Sequence, residues 1–240
     1  MGLSVLIWEI IFPINFFNIL PQLTDKTNLS NEIVDSVASC GQKVSSDSVD
    51  GIFTNSGGNP WVALIGYEKW SGKNVYDCTG TLLNSHYVLT TATCLSVEHS
   101  LQVSFLTHVR LGEYNILEDP DCVMVGNNPC LFRTRSLDVD IENIVHHPQY
   151  NEDGFQSYNI GLIKLEQEID FEFYDGFITP ICLPPPGIDP KILLQDKLGK
   201  VVGWDFGSGH PNNVLMKEFL LLANDDDCEM WYAGFITEKQ

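Results

Sequence analysis

Proton transfer near neutral pH needs histidines, carboxylates or thiols, and this chain offers few arrangements in which they could act together. The histidines are scattered: His86, His99, His108, His146, His147 and His210. Ser208 precedes His210 in DFGSGH, and a serine beside an imidazole is the start of a nucleophile–base pair. Its glycine-rich setting after KVVGW reads instead as a turn, so no catalytic pair is expected there. His146 and His147 are adjacent, and neighbouring strand residues point to opposite faces, so they cannot chelate one metal. His86 reads as an exposed surface side chain. The seven cysteines, Cys40, Cys78, Cys94, Cys122, Cys130, Cys182 and Cys228, form no CxxC pair. Without close-set ligands a zinc site is not expected, and no metal or cofactor is read from the sequence.

The elements that would carry these groups are strands. From about Ile52 onward, short apolar runs recur between Gly, Asn, Asp and Pro: WVALIGY, TLLNSHYVLT, HVRLGEY, VDIENIVHH, NIGLIKL and KVVGW. Each is strand-sized and rich in Val, Ile, Leu and Tyr, with turn residues between them. No long stretch with helical period precedes residue 190. The reading is all-β, sandwich or barrel. One late helix is expected: Asn224 can cap it, Asp225, Asp226 and Asp227 suit its first turn, and CEMWYA continues it.

Composition bounds the function. The chain has 240 residues, of which 44% are apolar, enough for a core. Its net charge of -19 argues against nucleic acid, which needs a basic face, and against anionic lipid. Residues 1–20 are strongly apolar but broken by Glu9, Pro13, Asn15 and Asn18, which makes a poor membrane span. A secretory signal fits better than a mis-assigned first exon, although no Lys or Arg precedes the apolar stretch. Widely spaced cysteines agree with export and read as disulfides, with one left over. In an exported chain Asn28-Leu29-Ser30 is a glycosylation sequon. Residues 21–51 are polar and read as a pro-segment or linker.

Several motifs, in order, carry a resemblance. PWVALIGY (Pro60–Tyr67), CTGTLLNSHYVLTTATC (Cys78–Cys94), YNIGLIKL (Tyr158–Leu165), ITPICLP (Ile178–Pro184) and VVGW (Val201–Trp204) resemble the chymotrypsin-like serine proteases. RLGEYNILEDPDC (Arg110–Cys122), Cys130 and IVHHPQYN (Ile144–Asn151) are similar to the clip-type proteases of arthropod immune cascades. The resemblance covers roughly residues 52–240. It implies two β-barrels: a nearly complete first barrel within 52–185 and an incomplete second one from 198 onward. It also implies disulfides Cys78–Cys94, Cys122–Cys130 and Cys40–Cys182, the last tethering the pro-segment, with Cys228 unpaired.

The same resemblance marks the catalytic positions. The family's histidine position falls on Thr93, and its aspartate position on Asn159. A hydroxyl is no base near pH 7, and a neutral amide cannot stabilise an imidazolium. No GDSGGP string is present, and the chain stops at ITEKQ, ahead of the place where the family carries its serine. Ile52 follows Asp50-Gly51 rather than a basic residue, so the family's activating cut has no clear counterpart; Lys43-Val44 is the nearest candidate. Glu113 lies where such proteases sometimes hold calcium, and one carboxylate is too few for an ion that takes six to eight oxygens. The resemblance therefore implies a secreted, non-catalytic homologue. It would bind cascade proteases or prophenoloxidase, in immune activation or in venom-mediated interference with it, with residues 119–131 and the cleft near Thr93 as contact surfaces. Two alternatives stay open: a trypsin-like endopeptidase, and a fragment of a longer homologue.

Overall fold

The structure is a computed structural model that describes residues 7–8, 40–44, 53–96, 104–125, 128–152, 157–183, 198–204, 213–221 and 230. It is almost entirely β. Strands β2 (Val62–Lys69), β3 (Asn74–Leu82), β4 (Tyr87–Thr90), β5 (Ser104–Leu111), β8 (Leu137–His146) and β9 (Gly161–Leu165) close a barrel in the order β2-β3-β4-β9-β8-β5. Strands β6 (Asp121–Val125) and β7 (Asn128–Thr134) form a separate ribbon. Strand β10 (Leu198–Gly203) pairs with β11 (Met216–Leu221) on one side and with the short β1 (Ile7–Trp8) on the other. Among the described residues, α1 (Ala92–Leu95) is a helix of a single turn.

The barrel forms because its strands bring branched apolar side chains to a shared interior. Ala63, Ile65, Leu82, Leu83, Val88, Val109, Leu111, Ile163 and Leu165 are fully buried. Burying each large side chain contributes about 1.5–3 kcal/mol. Gly66 in β2 is required by packing: a Cβ there would drive into the His108 ring on the neighbouring strand. Gly72 turns the β2–β3 hairpin at φ 75°, a left-handed conformation that costs glycine least.

The chymotrypsin-like architecture expected from the motifs is what the structure shows. The first barrel is closed rather than nearly so, and the second is represented by the β1-β10-β11 sheet. Of the late helix, only Met230 is described, and it is helical. The expected turn at Ser208 and His210, the sequon at Asn28 and the fate of Cys228 all lie outside the described residues.

Two strands of chain fasten the barrel to what surrounds it. Residues 40–44 run along its surface: Cys40 is bridged to Cys182, Gly41 N donates to Pro180 O at 2.9 Å, and Thr179 Oγ1 donates to Gln42 O at 2.8 Å. Lys43 lies over the Trp61 ring at 4.7 Å. On the other side, the loop after β5 joins the second sheet. Leu215 N donates to Tyr114 O at 2.8 Å, Trp204 Nε1 donates to the same carbonyl at 3.2 Å, and Ile116 N donates to Asn213 O at 2.8 Å.

Candidate functional site

Thr93 and Asn159, 66 residues apart in sequence, meet at one end of the barrel. The barrel itself brings them together, because β4 leads into α1, β9 begins just after Asn159, and β4 pairs with β9. Thr91 caps α1, its hydroxyl accepting from Cys94 N at 3.4 Å. The turn is then pinned by the Cys78–Cys94 bridge, with a Cα–Cα separation of 6.1 Å, and by the Tyr67 hydroxyl, which donates to Cys94 O at 2.8 Å. Burial of Tyr67 holds its phenol proton far more firmly than usual, so it stays a donor.

Asn159 Oδ1 accepts two hydrogen bonds from one residue: from Thr93 N at 2.9 Å and from Thr93 Oγ1 at 2.9 Å. Because the Thr93 hydroxyl gives its proton to Asn159, its lone pair is free to accept from Tyr150, whose hydroxyl lies 3.1 Å away. Three neutral groups thus form a chain: Tyr150 O–H to Thr93 O–H to the Asn159 carbonyl. The amide oxygen also serves as a second cap for α1, satisfying an N–H that a one-turn helix leaves open.

Residues near Tyr150 and Asn159 in sequence carry an aromatic stack, of which His147 is buried and Tyr158 half-buried. His147 and Tyr158 lie face to face, centroids 4.4 Å apart and planes 4° from parallel. Gln149 N donates to His147 Nδ1 at 3.1 Å, so that nitrogen is unprotonated and the neutral ring carries its hydrogen on Nε2. Burial lowers the His147 pKa, with Glu152 pulling weakly the other way. Tyr150 N in turn donates to His147 O at 2.9 Å. Tyr158 adopts φ 52°, an unusual conformation for a large side chain, and the next residue is Asn159. His146 and His147 part as expected, one exposed and the other buried.

The Thr93–Asn159–Tyr150 chain joins two hydroxyl groups and one amide by hydrogen bonds. Among the described residues, no group of three or more His, Cys, Asp or Glu could hold a metal ion.

Other expected features sort as follows. The bridges Cys40–Cys182 and Cys78–Cys94 form. The expected Cys122–Cys130 bridge does not: both are free thiols, joined by a hydrogen bond that raises the Cys122 pKa. In the ribbon, the register sets Cys122 opposite Arg133 and slips between Val123 and Val125, and Cys130 is at φ 54°. His86, expected on the surface, is half-buried, with Nδ1 at 3.0 Å from Ser85 Oγ. Sequence reasoning missed Tyr150, the His147–Tyr158 stack and Asp121. Tyr150 and His147 lie in HHPQYN, while Tyr158 opens YNIGLIKL.

Comparison with known proteins then settles the family. The family model described as Trypsin matches residues 48–240. The chain belongs to the trypsin family.

Within the trypsin family it is similar to insect clip-type members. It is 35% identical over 198 residues to phenoloxidase-activating factor 1 of Holotrichia diomphalia, covering 81% of this chain and 52% of that protein. Melanization protease 1 of Drosophila melanogaster is 31% identical over 225 residues, covering 91% of this chain and 55% of that protein. Among solved structures, the Drosophila Grass clip serine protease of the Toll pathway superposes with a TM-score of 0.70 at 26% identity. That match covers 87% of this chain and 56% of that one. The chain therefore spans about half the length of the curated relatives it matches.

Proposed function

We propose that this chain is a secreted, non-catalytic trypsin-family protein that acts by binding other proteins of an extracellular proteolytic cascade. One observation carries the reading: the two positions that the family resemblance assigns to the base and its orienting carboxylate hold a hydroxyl and a neutral amide, hydrogen-bonded to each other at 2.9 Å. Either substitution removes the proton-transfer machinery, and losses of single triad members lower rates by orders of magnitude. The reading rests on Thr93 and Asn159 alone and needs no statement about the serine.

Cascade proteases or prophenoloxidase are the proposed partners, because the relatives' names place them in phenoloxidase activation and melanization. Export is supported by two bridges in the fold and by the apolar N-terminus. Removal of residues 1–20 as a leader would take β1 from the edge of β10 and leave the β10–β11 pairing intact. No helix among the described residues is long and apolar enough to cross a membrane.

The test is reconstitution. Purified chain is added to a clip-type protease and prophenoloxidase, and both direct association and product formation are followed. The reading expects saturable association with one component, altered phenoloxidase output, and no hydrolysis of Arg or Lys amides by the chain alone. Absence of association, or intrinsic hydrolysis, would overturn it.

A further inference from the structure

The two ends of the barrel each display an aromatic side chain to solvent. Strand β2 turns at Lys69 into β3, and its start lies beside the end of β3, because Val62 pairs with Thr81. The end of β3 pairs with β4, and Tyr87 at the start of β4 pairs with Lys164 at the end of β9. The chain leaving β9 is therefore at the start of β2. Thr179 N keeps it there, donating to Pro60 O at 3.3 Å. The β2–β3 turn is at the other end, separated by the eight residues of β2, or roughly 25 Å. Thr93 and Asn159 share the turn's end, since β4 finishes and β9 begins there.

At the turn, Trp70 is 74% exposed, and Phe105 at the start of β5 is 54% exposed. The two rings meet edge to face, centroids 5.6 Å apart. The turn itself is fixed: Gly72 N donates to Lys69 O at 2.7 Å, and Lys69 N to Lys73 O at 2.9 Å. Lys69 and Lys73 flank Trp70 and outnumber the neighbouring Glu68. The result is a cationic, aromatic projection on a chain whose net charge is -19.

At the opposite end, residues 170–177, DFEFYDGF, carry the reverse charge. Phe173 is 75% exposed and rests edge to face on Tyr174 at 5.1 Å, and Tyr174 packs on the core. Asp170 Oδ1 fixes this backbone, accepting from Glu172 N at 3.1 Å and from Phe173 N at 3.2 Å. Glu172 and Asp175 are exposed on either side of Phe173, and no Lys or Arg occurs between Lys164 and Lys191.

We propose that these surfaces are the two halves of one head-to-tail contact, in which the Trp70–Phe105 turn of one copy docks on the Phe173 loop of the next. Both halves of the complementarity are on this chain, and the barrel holds them apart within one copy, so the occupant is a second copy. Turn against turn would oppose lysines, and loop against loop would oppose carboxylates, which disfavours a two-fold contact. Both aromatic groups stand on fixed backbone, so docking orders little that is not already ordered. A head-to-tail contact repeats into rings or open chains. The net charge of each copy opposes approach at long range. Screening shortens that repulsion from about 30 Å at about 0.01 M salt to about 8 Å at about 0.15 M, where close opposite charges still attract. The contact sets the neighbour at the barrel end that carries Thr93 and Asn159, and it stands whether or not the chain is catalytic.

The experiment is sedimentation of the full chain, with free thiols alkylated. A contact this small is weak, so the range runs from about 1 to about 300 µM in about 0.15 M salt. The wild type is expected to gain mass with concentration and to pass beyond the dimer. Trp70→Ala and Phe173→Ala, both at exposed positions, are each expected to weaken association about tenfold or more. Mixed in equal amounts, the two variants are expected to form a dimer that grows no further, because one supplies the intact loop and the other the intact turn. A wild type that stays monomeric, a variant that associates like the wild type, or a mixture that associates no better than its components overturns the proposal.

Discussion

The hydroxyl of Thr93 donates to the amide oxygen of Asn159 at 2.9 Å, and that same oxygen accepts the Thr93 backbone N–H at 2.9 Å. The contact closes the end of the barrel where α1 begins. It ties the first turn of α1 to the residue ahead of β9 through two hydrogen bonds to one oxygen.

Removing that oxygen has a calculable cost. Asn159→Ala leaves the Thr93 N–H and hydroxyl without their acceptor in a half-buried setting, which should cost about 1–3 kcal/mol. Tyr150→Phe removes one donor to Thr93 and should cost less, about 0.5–1.5 kcal/mol. Urea unfolding of both variants checks the order, and equal effects would contradict it.

Gly66→Ala should destabilise by about 1–3 kcal/mol through overpacking, because the new methyl meets the His108 ring. His108→Ala opens the space, so the double variant should recover part of the loss. A thermodynamic cycle with no coupling between the two positions would refute this packing.

Stability should pass through a maximum at mildly acid pH. Burial alone would raise the Asp138 pKa, but the hydrogen bonds and charge of Arg110 bring it below its ordinary value of 3.8. The stability it contributes is thus present above that value and lost as pH falls through the depressed one. Asp138 is 45% exposed, so its share is about 0.5–1 kcal/mol. Glu113 has the opposite sign. Its folded value of about 7 exceeds its ordinary 4.5, so stability declines as pH rises between those values. Thermal unfolding across pH should show the decline, and Glu113→Gln should flatten it.

Alkylation without reduction should label Cys122 and Cys130 and spare Cys40, Cys78, Cys94 and Cys182. The reaction at Cys122 should be slow at neutral pH, because its hydrogen bond to Cys130 disfavours the thiolate. Peptide mapping reads the outcome, and protection of both residues would restore the bridge expected from the sequence.

The barrel was legible because WVALIGY, YVLT and GLIKL carry their burial in local texture: short runs of branched residues between turns. The family was legible because motifs separated by many residues stood in the right order. The resemblance marked Thr93 and Asn159 as positions, but their contact was not legible, since their meeting depends on the β4–β9 pairing. Glu113 and Asp121 were not legible as a pair. Their approach depends on how one loop folds over the Tyr114 amide, and no spacing rule encodes that. Cys122 and Cys130 show the limit in reverse: the bridge that the resemblance implied is absent, and the two are free thiols.

The most direct test of the central claim is hydrolysis of Arg and Lys amide substrates by the purified chain, set against a mock purification and a Thr93→Ala variant. The account predicts no turnover above the mock preparation for either protein. Saturable turnover that scales with the amount of chain would contradict it.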